Sequence, residues 1–149
     1  MSAYTTIVVG TDGSETSLRA VERAAGLAKD AGATLVIACA YIPSTDRETA
    51  RDQDILGSEA YQVVGSAPAE DTLRTARDRA VAAGAGNVVV EAVQGKPADS
   101  LLEVAKKNSA DLLIVGNRGL NTIAGRIIGS VPLDVARHSP VDVLIVHTT

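Results

Sequence analysis

Apolar residues fall along this chain in two alternating textures. Nearly unbroken runs of Val, Ile and Leu occur at Thr6 to Val9, Leu35 to Tyr41, Val88 to Val93, Asp111 to Val115 and Val141 to His147. Short β-branched runs of this kind are how strands covered on both faces read, so five strands are expected. Between them the period becomes helical. Leu18, Val21, Ala25 and Ala28 follow 3, 4, 3 spacing, and Gly32 supplies a stop. Leu73, Ala76, Ala80 and Val81 predict a second helix, opened by Ser66 and Pro68 with Glu70 and Asp71 in its first turn and closed at Gly84. A third starts at Pro97, Asp99 and Leu101 and ends on Lys106 and Lys107, favourable to its dipole. A fourth runs from Ser130 to near His138.

Strands alternating with helices imply parallel pairing through right-handed crossovers, hence a single α/β domain over 1–149, a three-layer sandwich around a five-stranded parallel sheet. Ligands in such sheets bind beyond the carboxyl ends of the strands, where the strand order reverses. The segment 43–65 breaks the rhythm. It mixes acidic and basic residues without a clean period and leaves the second strand's carboxyl end, so it is expected to be a long, lid-like loop.

Composition narrows the partners. The 24 Ala and 18 Val stand beside three aromatics, Tyr4, Tyr41 and Tyr61, so the core is one of small residues without the stacking platforms of single-strand nucleic-acid binders. Net charge is −4, with the 14 basic residues scattered, and no basic stripe tracks phosphates. The lone Cys39 sits in an apolar run and is expected to be a buried thiol. No apolar run reaches the roughly 18 residues of a membrane span, and the expected location is cytoplasmic.

Candidate chemistry gathers at two strand ends. The first strand leads into Gly10-Thr11-Asp12-Gly13-Ser14, where Asp12 either caps the next helix or accepts hydrogen bonds from a ribose hydroxyl or adenine amine. Glu15 follows and would repel a phosphate at that helix N-terminus. The fourth strand leads into Gly116-Asn117-Arg118-Gly119, and Gly129-Ser130 opens the last helix, whose free N–H groups form an anion site. Ser130 serves there as cap and hydroxyl donor, and Arg118 is either a phosphate partner or a surface charge. Leu120, Ile123, Ile127 and Ile128 are expected to pack a helical turn onto the sheet.

The spacing Gly116-x2-Gly119-x9-Gly129-Ser130 resembles the G-x2-G-x9-G-[S/T] signature of the ATP-binding class of universal stress proteins. The Gly10 to Ser14 turn, the Gly95-Lys96-Pro97 turn and the closing strand Val141 to Val146 are similar to that family's as well. The resemblance implies strand order 3-2-1-4-5 and an adenine nucleotide across the ends of strands one and four; the modest supply of one Arg, one Ser and helix N–H groups keeps cyclic AMP open beside ATP and AMP. Asp12 and Ala40 would face the base, with Thr11 assisting. Val115 and Gly116 would lie on the ribose side, and Gly119, Gly129, Ser130 and Val131 at the phosphates. It also implies a homodimer through the last strand. Many members carry Pro where this chain has Gly10, so a pocket shaped for a different nucleotide is expected. ATP would bring Mg²⁺.

Enzymatic alternatives lack their signatures. No G-x4-G-K-[S/T] P-loop is present, no G-x-G-x-x-G follows the first strand, and no S-G-G-x-D-S occupies its end. The receiver-type aspartate and lysine are absent from the third and fifth strand ends. Two His and one Cys make a weak metal set. A nucleotide-binding regulator is expected, with no catalytic residues. A non-binding interaction protein on the same scaffold and a slow ATPase are its rivals.

Overall fold

The computed structural model describes residues 3–43, 63–117 and 130–148. Its strands are β1 (Thr6–Gly10), β2 (Thr34–Ile42), β3 (Val63–Val64), β4 (Val88–Gln94), β5 (Leu112–Gly116) and β6 (Asp142–Val146). The helices are α1 (Glu15–Ala31), α2 (Ser66–Ala82), α3 (Pro97–Lys107) and α4 (Ser130–His138). All pairings are parallel. The five expected strands stand in the order β4-β2-β1-β5-β6, the expected 3-2-1-4-5.

Period-two alternation sends each strand into two cores at once. Ile7 and Val9 of β1, Leu35, Ile37 and Cys39 of β2, and Leu112 and Ile114 of β5 pack under α1 and α2. Val8, Val36, Ala38, Leu113 and Val115 pack under α3 and α4. Alanines line the helix faces that meet the first layer, at Ala20, Ala24, Ala25 and Ala28 of α1 and Ala69, Ala76 and Ala80 of α2. Small residues let helices and sheet approach closely, which explains a core assembled without large aromatics.

Helix ends follow the sequence with one correction. Gly32 adopts the left-handed conformation, φ 65°, at the end of α1, where L residues other than Gly are disfavoured. Pro97 stands in the first turn of α3, and Lys106 and Lys107 in its last. The helix at Ser66 begins as expected, but Gly65 precedes it without a side-chain cap, and Glu70 and Asp71 fall beyond its first turn.

The second correction concerns the sheet, which has six strands. Residues 44–62 of the expected loop lie outside the described residues, but Val63 and Val64 at its end form β3. Tyr41 pairs with Gln94 on one side and Val63 on the other. Since β4 takes one edge of β2, β3 takes the edge that carries β1 lower down, and it lies beyond the carboxyl end of β1. Two residues have no periodicity to read, so the pattern could not announce it.

Candidate nucleotide site

The carboxyl ends of β1, β2 and β5 meet where the chain crosses from one half of the sheet to the other, as expected for a ligand crevice. At the end of β1 the turn is built from hydroxyls. The Thr11 N–H donates to the Ala38 carbonyl at 2.9 Å, extending the β1–β2 ladder by one bond. Thr11 Oγ1 lies 2.7 Å from Ser17 Oγ and accepts the Gly13 N–H at 3.1 Å. Gly13 takes φ 88°, and a side chain there would crowd Thr72 of α2.

Asp12 does not cap α1. Ser14 is the N-cap, its Oγ accepting the Ser17 N–H at 3.2 Å. Asp12 Oδ1 instead accepts the Ser14 N–H at 2.9 Å, closing a turn over its own backbone. The reason is position: Asp12 lies two residues too early to reach the helix's second and third N–H groups. Asp12 is half-buried and so has a second carboxylate oxygen to offer a ligand.

Ala40 faces the same place with its backbone. Two residues earlier, the Ala38 carbonyl points toward Thr11; two residues later, the Ile42 carbonyl accepts the Gly65 N–H at 2.7 Å. The period of the strand therefore aims the Ala40 main chain at the step between the end of β1 and the start of β3. Its neighbour Cys39 is buried, with its thiol pushed up to about 12 by burial and by the Asp12 charge. It stays protonated at neutral pH and offers no nucleophile.

Glu15 is engaged elsewhere. Arg79 of α2 donates to both of its carboxylate oxygens, at 3.0 and 3.1 Å, and that pairing lowers the carboxyl pKa. Gly10 opens no space beside the crevice. A Cβ there would stand 2.7 and 2.8 Å from the two methyls of Leu101, a buried residue of α3.

On the β5 side, Val115 is buried in the second core, so only its backbone can serve a ligand, while Gly116 is half-buried. Val131, in the first turn of α4, packs against the same core, and Ser130 is the first residue of that helix. Arg118, Gly119 and Gly129 lie outside the described residues, as do Leu120, Ile123, Ile127 and Ile128.

Sequence reasoning missed Asn117. It is buried, its N–H donates to the Val146 carbonyl at 2.7 Å, and its Oδ1 accepts both the N–H and the hydroxyl of Thr148, at 2.8 and 3.1 Å. The partners lie 31 positions apart, so no local motif joins them.

Comparison with known proteins fits this geometry. The model of the universal stress protein family matches residues 3–147. The universal stress protein Rv1636 of Mycobacterium tuberculosis is 56% identical over 149 residues, covering 100% of both chains. A crystal structure of a universal stress protein in complex with cAMP is 49% identical, with a TM-score of 0.77 over 99% of this chain and 100% of that one. The universal stress protein of Archaeoglobus fulgidus in complex with dAMP, at 22% identity, shares the fold, with a TM-score of 0.68 over 95% of this chain and 97% of that one. The chain belongs to the universal stress protein family.

Proposed function

We propose that this protein binds an adenine nucleotide at the carboxyl ends of β1, β2 and β5 and serves in the cytoplasm as a regulatory or nucleotide-sequestering module in stress response. The observation that carries the reading is the placement of the Asp12 carboxylate just past the end of β1, beside the carboxyl end of β2 that carries Ala40 and close enough to raise the Cys39 pKa. A carboxylate suits ribose hydroxyls or an adenine amine, and a strand's main-chain edge, where the Ala40 carbonyl accepts the Cys39 thiol and keeps a second lone pair, suits the polar rim of a base. The 49%-identical relative crystallised with cAMP supports the same choice. Phosphate would meet Gly119, Gly129, Ser130 and the N–H groups of α4.

Of the two carboxylates in the turn after β1, Glu15 is paired with Arg79, which leaves Asp12 for a ligand. One carboxylate in that turn suits a singly charged cyclic AMP better than ATP with Mg²⁺. Burial keeps the Cys39 thiol protonated, so it offers no nucleophile, and we assign no turnover. In the same reading the protein is a homodimer paired through β6, which forms the edge of the sheet.

A competition titration with ATP, AMP and cyclic AMP tests the reading. Saturable binding led by cyclic AMP is expected, and phosphate release measured at stoichiometric protein is expected to be nil. A folded protein that binds none of them would leave an interaction scaffold as the better reading, and multiple turnover of ATP would make it an ATPase.

A further inference from the structure

The chain leaves β5 into the glycine segment through Gly116 and Asn117, and those two residues are held from an unexpected direction. After β6 the backbone passes His147 and Thr148 directly over them. Asn117 Oδ1 accepts from Thr148 N and Thr148 Oγ1, and the Asn117 N–H is taken by the Val146 carbonyl. Arg19 of α1 donates to the Thr148 carbonyl at 2.8 Å, tying the same residue to the first helix. A Cβ on Gly116 would lie 3.4 Å from the Thr148 methyl, so the two are packed in contact. Asn117 and Thr148 are 7% and 4% exposed, so these polar atoms are removed from water and depend on one another.

We infer that Thr148, gripped by Asn117 and Arg19, is a positioning residue that fixes the direction in which the chain enters the glycine segment, and thereby the affinity for the phosphate of a bound nucleotide. This rests on the nucleotide site proposed above. Burial obliges the Thr148 N–H and carbonyl to find partners but not its hydroxyl, since an apolar side chain of the same shape would fill the space at least as well. What the bonds add is a fixed geometry, which phosphate recognition by backbone N–H groups requires and which adenosine recognition at Asp12 and Ala40, on the other side of the crevice, does not.

Titration of the full-length protein with cyclic AMP and with adenosine tests it. Thr148→Val, which keeps the shape and loses the hydroxyl, is expected to weaken cyclic AMP roughly threefold to tenfold, the worth of one buried hydrogen bond. Adenosine binding should be unchanged, and Thr148→Ser, which restores the hydroxyl, should bind cyclic AMP as the wild type does. Amide exchange in the ligand-free protein gives an independent readout: Asn117 should exchange faster in Thr148→Val than in the wild type or Thr148→Ser. Equal weakening of both ligands, or no weakening of either in a folded variant, overturns the inference. Wild-type protein that binds neither ligand overturns the nucleotide reading itself, and unaltered Asn117 exchange then overturns the positioning role as well.

Discussion

Gly10 and Leu101 occupy one space. The Leu101 methyls stand where a Gly10 side chain would go, at 2.7 and 2.8 Å from an ideal Cβ, so the glycine at the end of β1 is a packing partner of α3. Gly10→Ala should therefore cost about 1–3 kcal/mol, the usual penalty of overpacking. Leu101→Ala should cost about 2–5 kcal/mol on its own. Combined, the two should cost clearly less than their sum, because the smaller residue at 101 makes room for the methyl at 10. Urea unfolding of the four proteins measures this coupling, and strict additivity would contradict it.

Asp12 and Ser14 divide the work at the start of α1. Ser14→Ala should lower stability by about 1 kcal/mol, the worth of an N-cap. Asp12→Asn keeps an oxygen for the Ser14 N–H, so its stability should change by less than about 0.5 kcal/mol. Its loss should appear in adenosine and cyclic AMP affinity instead. Thermal unfolding and calorimetric titration of the two variants separate the roles; a large stability loss in Asp12→Asn would return that residue to a purely structural one.

Acid should loosen two seams of the sheet. Asp111 accepts from Thr5 N, Thr5 Oγ1 and Thr6 N, joining the chain's start to β5. Burial raises its pKa, but those hydrogen bonds outweigh burial and the net shift is downward. Glu91 of β4 shows the same balance, burial against hydrogen bonds from Lys107 and Asn108, again lowered overall. A carboxyl depressed in the folded state contributes stability that is present above its unfolded pKa and lost as pH falls through the folded one. Urea midpoints should therefore hold steady near neutrality and fall below about pH 4. Asp111→Asn should be less stable at neutral pH and show a shallower acid decline; an unchanged slope would contradict the assignment.

The edge strand offers a cleaner probe of self-association than its core-facing residues. Val143 and Ile145 are half-buried against the second core, whereas Leu144 is 37% exposed on the opposite face. Leu144→Lys should shift a dimer toward monomer, as sedimentation would show, without the folding defect expected of Ile145→Lys. A wild type that sediments as a monomer at high concentration would remove the dimer from the account.

The legible parts of the sequence were those with a local signal. Continuous Val and Ile runs marked the buried strands, and Gly32 and Pro97 marked helix ends. What escaped was non-local or too short. β3 has two residues and exists because β2 offers a free edge above β1. Thr148 meets Asn117 only because β5 and β6 are neighbours. Asp12 stayed open between cap and ligand partner because residue type alone cannot tell position N-cap from a turn two residues earlier. Gly10 was read as an opening because the leucine that fills it lies 91 positions away, and only the fold brings the two together.

Equilibrium binding of cyclic AMP to the purified protein and to Gly119→Ala and Gly129→Ala tests the central claim most directly. The account predicts saturable binding of one nucleotide per chain by the wild type. It also predicts roughly tenfold or greater weakening in each folded variant, because a methyl there obstructs the approach of backbone N–H groups to phosphate. Undiminished binding by both variants would place the site elsewhere, and a wild type with no saturable binding would contradict the account outright.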